Sequence, residues 1–170
     1  HREHVIVTPG GKRALMAALN RRDGTIAWIT PPLAEGHASH SSPILVEHAG
    51  RRIIINCSSA HGFAVDADTG ELLWTVPLKN THGVNSATPV YGGGDVFFVT
   101  PYAERGRLYR LDPDSPTAQP RHIWTSPIDS VTGGATLVDG TLYAAGYRAP
   151  KWWFAIDWAT GETKAELEAL

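Results

Sequence analysis

The chain has a single cysteine, Cys57, among its 170 residues. One thiol excludes an internal disulfide and a cysteine-built zinc site. Charge is also scarce: 15 Lys and Arg stand against 17 Asp and Glu, 19% of the residues in all, with a net charge of −2. A surface that holds polyanions by bulk positive charge is not expected, and so neither is a nucleic-acid partner. No apolar run approaches the roughly 18 residues of a membrane-spanning helix, so no membrane span is expected. Apolar residues are nevertheless plentiful, at 42%, which excludes a disordered chain. The leader pattern of a basic start, an apolar middle and small residues at a cleavage site is missing too. His1-Arg2-Glu3-His4 runs straight into Val5-Ile6-Val7, as in a processed product or a fragment.

What the sequence does have is punctuation. Its 17 Gly and 12 Pro break it into short apolar runs, and the length fits one domain over residues 1–170. Four segments align: Ala18 to Gly24, Ala64 to Gly70, Arg110 to Pro116 and Ala155 to Gly161. Their anchors Asn20, Asp66, Asp112 and Asp157 are spaced 46, 46 and 45 residues apart. Trp28 and Trp74 follow the first two anchors at the same distance, and Trp124 follows the third behind a Pro-rich insertion. The fourth repeat has Ala165 where the tryptophan belongs. A second landmark, Ser42-Pro43-Ile44 and Thr88-Pro89-Val90, shares the period.

Each repeat divides into four short strands bounded by Gly, Pro, Asp and Ser, and the first repeat begins at its second strand. The expectation is an all-β chain of 15 strands in repeats of about 1–33, 34–79, 80–128 and 129–170. Four antiparallel strands in about 45 residues make the blade of a β-propeller, whose two apolar faces are shielded only by neighbouring blades. Two segments argue locally for helix: Arg13 to Leu19 and Thr163 to Leu170 are rich in Ala and Leu. The repeat register makes the first a strand. The last is either an edge strand or a short terminal helix.

Ala-x-Asp/Asn-x-x-x-Gly-x-x-x-Trp, present as Ala18, Asn20, Gly24, Trp28 and again as Ala64, Asp66, Gly70, Trp74, resembles the tryptophan-docking motif of pyrroloquinoline-quinone (PQQ)-like propellers. The third repeat keeps Asp112 and Trp124, and the fourth keeps Asp157. The resemblance covers nearly the whole chain. It implies structural docking roles for Asn20, Trp28, Asp66, Trp74, Asp112, Trp124 and Asp157, and a place outside the cytoplasm, in the periplasm or beyond it. It also implies about twice as many blades as are present. The chain is therefore expected to be part of a larger propeller, partnered by the remaining blades or by a second copy.

Propeller topology puts the 2–3 and 4–1 loops on one face, the top. These loops carry His37, His40, Asn56, His61, His82, Asn85 and Trp152 as candidate ligand-binding residues. Imidazoles of this kind can ligate a metal, but His37-x-x-His40 is a weak zinc signal, and the same side chains can simply bond loop backbone. His40 and Asn85 precede inner strands and are expected to face the axis. Cys57, beside apolar residues, reads as a buried inert thiol. Gly92-Gly93-Gly94 precedes a strand and reads as a hairpin turn. Blade packing accounts for Trp153, while Trp152, with Tyr147, is open between packing and a sugar- or quinone-stacking wall.

No cofactor is expected from these residues; PQQ and Ca²⁺ enter through the resemblance alone. Quinoprotein dehydrogenases of the family hold PQQ beside a Cys-Cys pair with a carboxylate-bound Ca²⁺. This chain has one Cys, and its top loops have only Glu35, Glu104 and Asp129 as carboxylates. The expected function is a non-catalytic propeller scaffold that binds a ligand or a protein partner. The alternative is part of a quinoprotein oxidoreductase or a metal-dependent propeller enzyme with its site in the top funnel.

Overall fold

The computed structural model describes residues 2–102, 105–147 and 151–168. Its 15 strands fall into four antiparallel sheets, each following the chain order without crossovers. The first sheet has three strands, β1 (His4–Val7), β2 (Met16–Asn20) and β3 (Ile26–Thr30). The second has β4 (Ile44–His48), β5 (Arg51–Cys57), β6 (His61–Asp66) and β7 (Leu72–Pro77). The third has β8 (Val90–Gly92), β9 (Asp95–Thr100), β10 (Arg105–Arg110) and β11 (Arg121–Ser126). The fourth has β12 (Thr136–Val138), β13 (Thr141–Ala145), β14 (Trp152–Asp157) and β15 (Thr163–Glu168). These are propeller blades 1 to 4.

Of the helix-favouring segment Arg13 to Leu19, the part from Met16 on is strand, as the repeat register requires, because β1 and β3 pair with it on both sides, while residues 13–15 lie in the loop before it. Thr163–Glu168 is the outer strand of blade 4, which settles the choice between strand and helix.

Each blade carries a bulge at one register position between its last two strands: after Ala18, Ala64, Leu108 and Ala155. Opposite these residues stand Trp28, Trp74, Trp124 and Ala165. A bulge twists the strand and re-aims the side chain beside it.

The turns that follow are made by local polar chemistry. Asp66 Oδ1 accepts the N–H groups of Asp68 and Thr69 at 3.0 and 2.9 Å, and Gly70 N–H bonds Asp66 O at 2.9 Å with φ of 75°. Asp157, Thr160 and Gly161 repeat this arrangement, with Gly161 at φ 77°. In blade 3 the turn has no glycine, and Asp112 Oδ1 receives only Asp114 N–H, at 2.9 Å.

The apolar core is three clusters, one for each junction between successive blades. Ile54, Phe63 and Val65 of blade 2 bury against Met16, Ala18 and Trp28 of blade 1. Ile55, Ala64, Trp74 and Val76 meet Phe98, Tyr109 and Leu111. Phe97, Leu108 and Trp124 meet Leu142, Phe154, Ile156 and Trp158. None of these clusters joins blade 4 to blade 1. The described residues form an open arc with a free face at each end.

Blade packing takes the place left open for Trp152 and corrects the reading of Trp153. Trp152 packs against the core between blades 3 and 4, whereas Trp153 is 59% exposed on the outer face of blade 4. Strand alternation is the reason: neighbours on one strand point to opposite faces, and only one face of blade 4 has a partner.

Candidate functional site

The loops expected at the top do gather on one rim of the arc. His37 N–H donates to Ser59 Oγ at 2.7 Å, and Ser59 N–H returns a bond to His37 O at 3.1 Å, joining the loop after blade 1 to blade 2. A Cβ on Gly10 would lie 2.2 Å from Ala38 N, so the backbones of two top loops touch there. From blade 4, Tyr147 N–H donates to Asp129 Oδ1 at 2.6 Å. Glu104, in the same set of loops, lies outside the described residues.

The seven candidate residues divide by depth. Asn56 and Asn85 are fully buried. Asn56 Nδ2 donates to Thr8 Oγ1 at 2.9 Å, and its Oδ1 accepts the Ser41 hydroxyl. Asn85 Nδ2 donates to Ser58 O at 2.8 Å and Leu78 O at 3.0 Å, while its Oδ1 accepts Asn80 Nδ2 at 3.1 Å. Asn85 thus turns into the junction between blades 2 and 3, where the sequence reading had it face the axis. An amide with both its hydrogens and its oxygen matched fixes loop backbone rather than a mobile ligand.

His37, His40 and His82 are exposed, and His61 is half-buried. His61 Nδ1 is buried and meets no hydrogen-bond partner among the described residues. His82 packs edge-on against Tyr102 with ring centroids 4.2 Å apart, and Tyr102 meets Tyr147 at 6.2 Å. Tyr102 takes a φ of 65°, uncommon for a side chain of its size. This aromatic row crosses the tops of blades 3 and 4. Among the described residues no group of three His, Cys, Asp or Glu side chains could hold a metal ion.

Sequence reading gave no role to Asn80 or Tyr102. Asn80 organises its loop, its Nδ2 donating to Val84 O at 2.7 Å and its Oδ1 accepting His82 N–H at 3.1 Å. Asn80 followed by Gly83 is a local turn signal that marks the first. Nothing in the sequence marks the second, because its ring contacts come from separate loops.

Cys57 is 1% exposed, with Sγ 3.0 Å from Ser41 Oγ and 3.5 Å from Asn85 O. Burial pushes its thiol above the ordinary value of 9.0, against a smaller opposing effect of the Ser41 and Ser39 hydroxyls. It is a packed thiol, not an activated one.

The largest apolar exposures lie elsewhere, on the end faces. Blade 1 shows Val5 at 50%, Ile26 at 61% and Ile29 at 44%, the two isoleucines bordering a cavity of about 530 Å³. Blade 4 shows Tyr143 at 49%, Trp153 at 59% and Leu167 at 70%, around a cavity of about 170 Å³.

The residues do not fit a PQQ–Ca²⁺ site within this chain. The one thiol is sealed under Ser41, Glu35 pairs with Lys79 Nζ at 3.3 Å, and Asp129 is engaged by Tyr147. A hard cation needs several convergent carboxylate oxygens, which the described residues of these loops do not supply.

Comparison with known proteins agrees on the fold. The family model described as outer membrane protein assembly factor BamB matches residues 1–165. A quinohemoprotein alcohol dehydrogenase from Pseudomonas putida is similar in structure, with a TM-score of 0.57 at 16% identity over 81% of this chain. The match takes in 22% of the dehydrogenase, so the chain spans about a fifth of it. A protein of unknown function from Bacteroides caccae aligns over 98% of this chain and 73% of its own, at 12% identity and a TM-score of 0.43. No curated protein matches.

Proposed function

The chain belongs to the propeller family described as outer membrane protein assembly factor BamB, and from this premise we propose that it is a non-catalytic propeller segment serving as a binding or assembly scaffold outside the cytoplasm. The observation that carries this reading is where its polar and apolar groups are spent. Asn56, Asn80 and Asn85 are consumed in bonds within the chain, while apolar area lies open on blades 1 and 4. A catalytic funnel needs the reverse: polar groups aimed inward at a pocket and a closed apolar shell. In this reading Trp28, Trp74 and Trp124 lock the blades together, the end faces take the remaining blades, and the exposed His82 and Tyr147, with the half-buried Tyr102 between them, offer a contact surface on the top. No helix among the described residues is long and apolar enough to cross a membrane.

The alternative is part of a quinoprotein oxidoreductase, favoured by the likeness to the quinohemoprotein alcohol dehydrogenase. Titration with PQQ and Ca²⁺, followed by absorbance and melting temperature, separates the two. A scaffold gives no saturable change in either; a saturable absorbance shift with a rise in melting temperature would establish the oxidoreductase reading.

A further inference from the structure

The junction between blades 2 and 3 departs from the other two junctions. Pairing registers on either side of the bulge compare the blades position by position. Where blade 2 has Phe63 and Val65, and blade 4 has Phe154 and Ile156, blade 3 has Arg107 and Tyr109. On the outer strand, His122 stands where blade 2 has Leu72 and blade 4 has Thr163. Phe63 and Val65 are buried in the core between blades 1 and 2, and Phe154 and Ile156 in the core between blades 3 and 4. Packing one blade on the next therefore does not call for a guanidinium at this position.

The junction opens there into a cavity of about 340 Å³ lined by Pro77, Lys79, Arg107, Tyr109 and His122. Three of these described residues are basic and none is acidic, in a chain whose net charge is −2. Tyr109 is buried, its ring meets His122 edge-on at 5.5 Å, and its hydroxyl accepts a hydrogen bond from Arg107. A guanidinium has five N–H donors and can bond that hydroxyl and an oxyanion together. Burial pushes the Tyr109 phenol above its ordinary 10.0, against a smaller opposing effect of Arg107, so the hydroxyl keeps a proton to donate. His122 Nε2 lies 3.0 Å from Thr125 Oγ1, which holds the imidazole in place. Lys79 Nζ lies 3.3 Å from Glu35 Oε2, and both groups are exposed, so the pair is weak and an anion can draw the ammonium away.

We infer that this cavity binds a small organic phosphate monoester, its phosphate held by Arg107 and Lys79. A phosphate group offers three acceptor oxygens and close to two negative charges, which match a guanidinium, an ammonium and a phenol O–H. A planar carboxylate is satisfied by one guanidinium fork and leaves the second cation unused. The cavity falls in the size range of small-molecule sites, larger than a phosphate group alone needs. Pro77 and the Tyr109 ring supply apolar lining for the organic part. The site lies between two internal blades, so it stands whether the chain serves as a scaffold or as part of an oxidoreductase.

Isothermal titration calorimetry at fixed ionic strength tests it with phenyl phosphate, inorganic phosphate and benzoate as probes. The unaltered chain is compared with Arg107→Leu, Lys79→Gln and Arg121→Gln. Arg107→Leu puts an apolar residue where blades 2 and 4 have one, and Lys79 is exposed, so both variants are expected to fold. Far-UV circular dichroism checks this, and Lys79→Gln carries the test if Arg107→Leu does not fold. Phenyl phosphate is expected to bind saturably and more tightly than inorganic phosphate. Its affinity is expected to fall about tenfold or more with Arg107→Leu and about threefold with Lys79→Gln. Arg121→Gln is expected to leave it unchanged, since Arg121 is exposed on β11 and does not line the cavity. No saturable binding, or binding indifferent to both Arg107→Leu and Lys79→Gln, would overturn the inference. Benzoate binding as tightly as phenyl phosphate would overturn the ligand class, and an equal loss with Arg121→Gln would reduce the site to diffuse surface charge.

Discussion

Gly70 and Gly161 meet two demands with one atom's absence. Each closes a turn at positive φ, 75° and 77°, and each lies flat against an indole of the preceding blade. A methyl group at Gly70 would strain the backbone and also push Trp28 out of its seat, so Gly70→Ala is expected to cost about 2–4 kcal/mol of folding stability. Urea unfolding measures it, with a loss below about 1 kcal/mol contradicting the double role. The anchors Asn20, Asp66 and Asp157 were legible in the sequence because their chemistry is local: a short side chain bonds the backbone two residues on, and in Asp66 and Asp157 three residues on as well. Asn85 was recognised as important in the wrong place. Its partners Ser58 and Leu78 are brought to it by the meeting of two blades, which no local pattern encodes. His48, whose Nε2 lies 2.7 Å from Asp112 O across the same junction, escaped notice for the same reason.

At the scale of strands and turns, period decided against propensity. Ala and Leu near Leu19 favour helix, but a strand with partners on both sides satisfies its backbone and buries its side chains at once. The outer strand β15 has a neighbour on one side only, and its turn is held partly by charge. Lys164 Nζ lies 2.8 Å from Asp157 Oδ2, and that hydrogen bond, followed by the Thr160 N–H, holds the Asp157 carboxyl at about 2 against an ordinary 3.8. A carboxyl that gives up its proton more readily when folded stabilises the fold above pH 3.8, and the contribution fades as the pH falls through about 2. Asp157→Asn keeps the acceptor for the turn and removes the charge. It is expected to melt below the unaltered chain at pH 7 and to approach it near pH 2; an equal gap at both pH values would show that the charge plays no part.

At the scale of the whole molecule, the sequence carried the blade count and the open ends, and missed how the junction of blades 3 and 4 is closed. A period of about 46 residues is visible because every blade solves the same packing problem. Trp158 stayed hidden because it lies outside the repeat's own tryptophan position. Its Nε1 donates to Gly92 O at 3.2 Å, and its carbonyl accepts Trp124 Nε1 at 3.0 Å, so it closes the junction of blades 3 and 4 from the receiving side. The top-face candidates were legible as a group of loops but not as individuals, since depth separates Asn56 and Asn85 from His37, His40 and His82.

An arc open at both ends should unravel from both ends, because blades 2 and 3 are covered on two faces and blades 1 and 4 on one. Native-state hydrogen exchange resolved by strand tests this directly. Amides of β5, β6, β9 and β10 are expected to exchange about tenfold or more slowly than those of β1, β2, β13 and β14, the outer pairs opening first. Equal protection in all four blades, released in a single cooperative step, is the behaviour of a closed ring and would contradict the account.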